Sequence, residues 1–523
     1  MKKKIVGILV CTLLIAPLIL PVSGKITILT NIYCNEFYSE NLLKAYGNFP
    51  INNELDEYII NKMSKNHIPG LSATIVKNDS IFWTQSYGYA NLTSGQLVKD
   101  TTLFRLASVS KTVVATAIMQ LYEQEYFDLH DPVNKYLPFQ VIHPDYPSTN
   151  ITFHMLMTHT SAIRDNWNVI PRIDGDPKIP LGEFLEEYLT PEGQFYSPTL
   201  NFAPTEPGTI WEYSNIGAAL IGYLVEEISN MNFSDYCKNN IFQPLDMDET
   251  AWFLADLNIS NIAVPYRWVG DDYAAYPHHC TNAYPAGNLR TSVTQLRNFL
   301  IMMIKNGTYN SIKILEESTV DLILSYQVSC NPFQGLIWRK MILYGKRTLW
   351  GHEGSYYGCR TNMQFEPKTN TGVIVLTNGQ YDYIELREIL STLFDFADNK
   401  PPNEPGIEGP TSGKQRESYD YIFYTSDPEE HNVSYYVDWD DGSSTDWTEF
   451  VTSGTVITLT HKWSKQGVYI VKVKAKDSYD AESNWTELEV IIPKTGASSH
   501  LWYEWLLERF PLLERLLTLI ISI

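Results

Sequence analysis

This 523-residue chain is short of charge, of cysteine and of basic residues relative to acidic ones. Only 19% of residues are charged, while 44% are hydrophobic and 13% aromatic, a balance that argues against disorder and allows a large core. Lysine and arginine number 39 against 60 acidic residues, giving a net charge of −21 with no basic patch. Nucleic acid is thereby disfavoured as a partner, because phosphate binding draws on clustered Lys and Arg. The cysteines include no CxxC, so metal-ligand spacing is missing, and no pattern calls for a cofactor. Setting aside Cys11 in the leading segment, Cys34, Cys237, Cys280, Cys330 and Cys359 remain. An odd number cannot close a full disulfide set, although one or two bridges fit an oxidising compartment. No tandem repeat occurs.

Long apolar runs sit at the ends. Lys2, Lys3 and Lys4 precede the run Ile5–Val22, and Ser23 and Gly24 follow. Charge, apolar core and small-residue exit predict a secretory signal peptide over 1–24 and a secreted or cell-surface location, with an uncleaved anchor as the alternative. Residues 25–51 read as an extension. At the other end, residues 494–523 form an amphipathic tail. Glu504, Glu508 and Arg515 share one helical face, while Trp502, Trp505, Leu506, Leu513 and Leu516 share the other. Its charges and Pro511 argue against a simple span, and residues 500–523 predict a helix at a membrane surface or packed on its own domain. Eight Asn-x-Ser/Thr sequons, at Asn78, Asn91, Asn150, Asn232, Asn258, Asn306, Asn432 and Asn484, suit a glycosylated surface where the host supplies the machinery.

Residues 52–398 read as a mixed α/β domain. Leu71–Val76 and Ile81–Tyr87 are β-rich runs split by the hairpin signal Lys77-Asn78-Asp79-Ser80. Val113, Val114, Ala117, Ile118 and Leu121 mark a buried helix face. Thr348–Trp350, Thr361–Phe365 and Gly372–Leu376 look like successive strands, with a helix over Ile384–Ala397. The Pro/Gly-rich stretch 399–417 reads as a linker. In 418–493, short strand-like runs at Tyr419–Tyr424, Val433–Trp439, Val456–Trp463, Tyr469–Ala475 and Leu488–Ile492 predict an immunoglobulin-like β-sandwich. Asp427, Asp438, Asp440 and Asp441 have calcium-ligand chemistry, but solvated turn acids are the preferred reading, and no metal site is assigned.

Chemistry concentrates in three motifs. Ser108-Val-Ser-Lys111 is an SxxK at the start of the buried helix, and i, i+3 spacing puts Ser108 and Lys111 on one face. Serine needs a neighbour to take its proton, which a desolvated lysine can do. The Ser108 backbone N–H, at a helix start, can stabilise an oxyanion. Alone SxxK is weak, since roughly one or two occur by chance in a chain this long. Tyr213-Ser-Asn215 adds a phenol, acting as phenolate or through Lys111, and an amide to hold substrate. His352-Glu353-Gly354-Ser355 follows a strand, its glycines allowing a substrate backbone to lie close. Each motif has a bland reading as cap, packed aromatic or loop histidine; together and in order they do not.

The segment Phe104-Arg-Leu-Ala-Ser-Val-Ser-Lys-Thr112 resembles the nucleophile segment of the class C β-lactamase and penicillin-binding-protein family. Pro69-Gly70-Leu71-Ser72, Tyr87-Gly88-Tyr89-Ala90, Asp131-Pro132-Val133, Leu156–Ser161 and Pro285-Ala286-Gly287 resemble its framework segments. The resemblance implies an antiparallel sheet flanked by helices beside an all-helical lobe, with the site between. It implies Ser108 as acylated nucleophile, Lys111 and Tyr213 as general base and acid, and Asn215, His352, Gly354 and Ser355 at the substrate. The backbone N–H groups of Ser108 and Ser355 would form the oxyanion hole. Where class C enzymes carry Lys-Thr-Gly, this chain has His352-Glu353-Gly354, a neutral histidine beside an acid and a poorer anion site. Lys494-Thr495-Gly496 falls after the sandwich and reads as coincidence. Tyr436–Gly442, His461–Trp463 and Gly467–Asp477 resemble a polycystic-kidney-disease (PKD) type domain. These readings predict an exported hydrolase of a small-molecule or peptide amide or ester, in the order peptidase, esterase, β-lactamase. An inactive binding protein of the cell surface is the alternative.

Overall fold

The structure is a computed structural model that describes residues 53–494 and Arg509. The expected signal peptide, the extension up to residue 52 and the tail at 500–523 lie outside the described residues, Arg509 excepted. Among the described residues no helix is long and apolar enough to cross a membrane.

Helix α1 (Glu54–Lys65) starts where the Asn53 side chain accepts the Asp56 N–H, and acids in its first turn and lysines in its last suit the helix dipole. Strands β1 (Gly70–Lys77) and β2 (Ser80–Asn91) follow as the expected hairpin, and Gln96–Leu97 adds an edge strand, β3. Helices α2 (Ser110–Glu123), α3 (Leu181–Leu189), α4 (Asn215–Ser229) and α5 (Val293–Ile304) come next. The chain then returns through β4 (Arg339–Leu343), β5 (Arg347–Tyr356), β6 (Cys359–Glu366), β7 (Thr371–Thr377) and α6 (Tyr383–Asp398). These strands make one seven-stranded sheet in the order β4-β5-β6-β7-β1-β2-β3, every neighbouring pair antiparallel.

The period of two in β7 decides the layering. Ile374 and Leu376 enter the large core shared with α5 and the helical lobe, while Val373 and Val375 face the core formed with α1 and α6. The lobe is held by α2 and α4, whose Val113, Ala117, Leu220 and Leu224 are fully buried. Strand β4 pairs only with residues 347–351 of β5, so residues 352–356 have β6 on one side and an open edge on the other.

The C-terminal strands form two further sheets. One is β8 (Gly406–Glu408), β9 (Tyr419–Tyr424) and β12 (Ile457–His461); the other joins β10 (Val433–Asp438), β11 (Ser444–Thr445), β13 (Gly467–Asp477) and β14 (Thr486–Ile492). Between them, Tyr421, Tyr435, Trp463, Val471 and Val473 build a separate core, the arrangement of a β-sandwich. Two sequence readings change here. The Pro/Gly stretch is not only linker: residues 406–408 pair with β9, and Ile407 packs on the sandwich core. Asp427 is not a solvated turn acid but is 4% exposed, whereas Asp438 and Asp441 accept N–H groups of their own turn, from Asp440 and Ser443, and the exposed Asp440 carboxylate accepts the Ile470 N–H. Among the described residues Cys237, Cys280, Cys330 and Cys359 are all free.

Candidate active site

A cavity of about 480 Å³ opens between the sheet and the helical lobe, lined by Ser108, Tyr213, Asn215, His352, Glu353 and Ser355, with Trp211 and Trp167 on the lobe side. Three chain segments meet there. Ser108 sits in a short 3₁₀ turn (Ala107–Val109) that runs directly into α2, so Lys111 points from the first turn of the helix back towards it. Ala107 holds φ +47, a left-handed conformation rare for a residue with a Cβ, immediately before Ser108. Asn215 is the first residue of α4, and His352 and Ser355 lie on the open half of β5.

Lys111 is fully buried. Its Nζ lies 3.1 Å from Ser108 Oγ, 2.7 Å from Asn215 Oδ1 and 2.7 Å from the Ala286 carbonyl. Burial pulls its pKa down to about 7, with Asp165 acting weakly in the other direction. The three neighbours suit a neutral amine: two N–H groups go to the two carbonyl oxygens, leaving the lone pair towards the serine hydroxyl. That arrangement sets an amine with a lowered pKa beside the Ser108 hydroxyl.

Tyr213 lies beside this pair, its ring centroid 4.9 Å from Lys111 Nζ. Burial drives its pKa well up, against a smaller pull from Ser108, and the buried hydroxyl makes no hydrogen bond of ordinary geometry. The phenolate reading is thereby corrected, because desolvation keeps the proton on the phenol; only the route through Lys111 is left.

Asn215 also differs from the simple reading. Its Oδ1 accepts from Lys111 and its Nδ2 donates to Asp165 at 2.6 Å, so the amide is first a spacer that orients the lysine. Asp165 was not singled out from the sequence. It accepts from the backbone N–H groups of Asn215 and Ile216, a carboxylate at a helix N-terminus, and no local signal links it to a helix fifty residues on.

The His352-Glu353-Gly354-Ser355 segment divides. His352 is buried, and its Nδ1 must donate to the Glu353 carbonyl at 2.7 Å, so Nε2, without a partner, keeps its lone pair. Burial and the neighbouring Lys111 press its pKa down to about 3, so it offers no positive charge at neutral pH. Glu353 does not impoverish the site electrostatically as its sequence position suggests, because Arg387 of α6 clamps it with two hydrogen bonds of 2.9 Å. Arg105, Arg339 and Arg387 all line the cavity. Gly354 serves the protein rather than the substrate: a Cβ there would meet Thr361 Oγ1 at 2.1 Å and the Leu106 carbonyl at 2.2 Å. Its absence lets the serine turn dock on β5, while Ser355 alone of the pair faces the cavity. Lys494, of the Lys494-Thr495-Gly496 run, follows the last sandwich strand and is not among the residues lining the cleft.

A serine, a buried lysine and a phenol thus meet between a sheet edge and a helical lobe. The chain belongs to the Beta-lactamase family, whose profile matches residues 55–390. It is 23% identical over 349 residues to "Protein flp" of Staphylococcus aureus, covering 65% of this chain and 66% of that protein, so it spans about 66% of the length of that relative. The fold is similar to the octameric penicillin-binding protein homologue from Pyrococcus abyssi, with TM-score 0.53 and 19% identity over 81% of this chain and 98% of that one. It is also similar to the D-amino acid amidase from Ochrobactrum anthropi, with TM-score 0.51 and 20% identity over 64% of this chain and 93% of that one.

Proposed function

We propose that the protein is an exported hydrolase that cleaves a small-molecule or peptide amide or ester through an acyl-serine intermediate. The observation that carries this is the buried Lys111 amine, 3.1 Å from Ser108 Oγ and depressed to about pKa 7. Ser108 Oγ attacks the substrate carbonyl carbon as its proton passes to Lys111. The backbone N–H groups of Ser108 and Ser355 receive the oxyanion. The C–N or C–O bond then breaks, the leaving group takes a proton from Tyr213, and Tyr213 recovers one from Lys111. Water attacking the acyl carbon by the reverse proton route frees Ser108.

Peptidase action, on D-amino-acid peptides or amides, is the first choice, ahead of ester and β-lactam hydrolysis. It is supported by His352-Glu353-Gly354 standing where class C enzymes carry Lys-Thr-Gly and by the similarity to a D-amino acid amidase. A panel of D-amino-acid amides, short nitrophenyl esters and nitrocefin tests the order; fastest turnover of nitrocefin would reverse it. Mass spectrometry after fluorophosphonate treatment tests the nucleophile, with the adduct expected on Ser108. Intact protein that takes no label would return the chain to a binding role. Export rests on residues 1–24, and membrane-surface association on 500–523. Fractionation with and without 500–523 tests the latter, an unchanged distribution ending it.

A further inference from the structure

A second constellation lies far from the nucleophile in the sequence, at the seam between the sandwich and the hydrolase domain. Asp427, in the turn before β10, His431, four residues on, and Asp477, the last residue of β13, each offer one donor atom, all within 4.8 Å of one another. The Asp427 side chain is 0% exposed. Its Oδ1 accepts the N–H groups of Glu429 and His431 at 2.9 and 3.0 Å, which fixes the carboxylate and leaves Oδ2 buried without a partner. His431 Nδ1 lies 3.4 Å from Asp427 Oδ1 and makes no hydrogen bond. Asp477 Oδ1 is held by the N–H groups of Tyr479 and Ala481, and Oδ2 by Asn399 Nδ2 at 2.6 Å. Asn399 Oδ1, beside it, is also buried without a partner.

We infer that Asp427, His431 and Asp477 form a binding site for a divalent transition-metal ion of the zinc class. Two buried carboxylates side by side are costly unless a cation joins them, and among the described residues neither meets a lysine or arginine. An ion about 2.0–2.4 Å from each donor spans the observed separation. The imidazole decides the class: calcium takes oxygen ligands, whereas zinc accepts nitrogen and carboxylate together. Fixed Oδ1 atoms and the Asn399 amide are the outer hydrogen bonds that orient metal ligands.

The position gives the ion a task. Asn399 directly follows α6, Tyr479 packs edge-on against both His431 and Phe396 of α6, and Glu54 N–H donates to the Ser478 carbonyl. A bound ion would pin the sandwich to the hydrolase domain through Asn399 and Asp477. The reading is independent of the catalytic one.

The test uses the metal-stripped full chain, with zinc and then calcium added, followed by calorimetry and thermal melting. One equivalent of zinc should bind and raise the melting temperature. His431→Gln and Asp427→Asn should abolish that binding, and Asn399→Ala should weaken it roughly 10–100-fold. Ester or amide turnover and circular dichroism of His431→Gln, a partly exposed position, guard against loss of fold. Zinc binding that persists in both ligand variants sits elsewhere and overturns the assignment. So does calcium binding without zinc binding, or no binding at all, which leaves His431 and Asp427 a simple ion pair.

Discussion

Lys62, on α1 against α6, and Lys111, under the cleft, are both lysines drawn towards the protein interior, and their surroundings tune them in opposite directions. Lys62 keeps 16% of its side chain exposed and donates to Glu385 at 2.9 Å and to Glu388. Burial pulls its pKa down, but the hydrogen bonds to the two carboxylates outweigh this and the net shift is upward. Lys111 is wholly buried among neutral oxygens, with the carboxylate of Asp165 one residue removed, and falls to about 7. Burial with acids locks a charge in place; burial among amides and hydroxyls makes a base. Asn215 is the residue that keeps the two cases apart, since it takes both the lysine and the aspartate and holds them off contact.

The sharpest break in the comparison comes from removing what the base acts on. Ser108→Ala should lower turnover by roughly 10⁴-fold or more in a steady-state assay, with circular dichroism unchanged. Next, Lys111→Arg restores a permanent charge at the base position, and kcat should fall about 10²–10⁴-fold; wild-type turnover would deny Lys111 its role. The wild-type pH profile follows. Because Lys111 must be neutral, kcat/KM should rise about tenfold per unit of pH below about 7 and level off above it. Asp165→Asn, which removes the one group raising that pKa, should move the rise to lower pH.

Stability carries the same signature. Between about pH 7 and 10 the unfolded chain holds the Lys111 proton and the folded chain does not, so folding stability gained from this group increases as pH rises. Urea unfolding of wild type against Lys111→Met should diverge across that window by up to about 1.4 kcal/mol per pH unit, and equal slopes would contradict the depressed pKa. Smallest is Lys62→Met: about 1 kcal/mol of stability lost, with turnover untouched.

Much of the scaffold was legible because it is written at short range. The β-rich apolar runs of β1 and β7, the alternation in β13 and the 3.6-residue face of α2 are properties of neighbouring side chains. Gly354 was misjudged for the opposite reason, since what fills the space of its missing Cβ is Leu106, remote in sequence. The same holds for β8, a strand of three residues that only its partner β9 makes visible.

The sequence by itself determined the main strands and helices, the order of the three motifs and the chemical types at Ser108, Lys111 and Tyr213. Tertiary structure alone decided the protonation equilibria: an amine at Lys111 that gives up its proton near pH 7, a phenol at Tyr213 that keeps its own and a neutral imidazole at His352. It decided equally that Asp427 is buried beside Asp477 rather than solvated in a turn. The reason is that a pKa depends on desolvation and on partners within a few ångströms, and here Asn215, Ala286, Asp165 and Asn399 arrive at those distances only when distant segments pack.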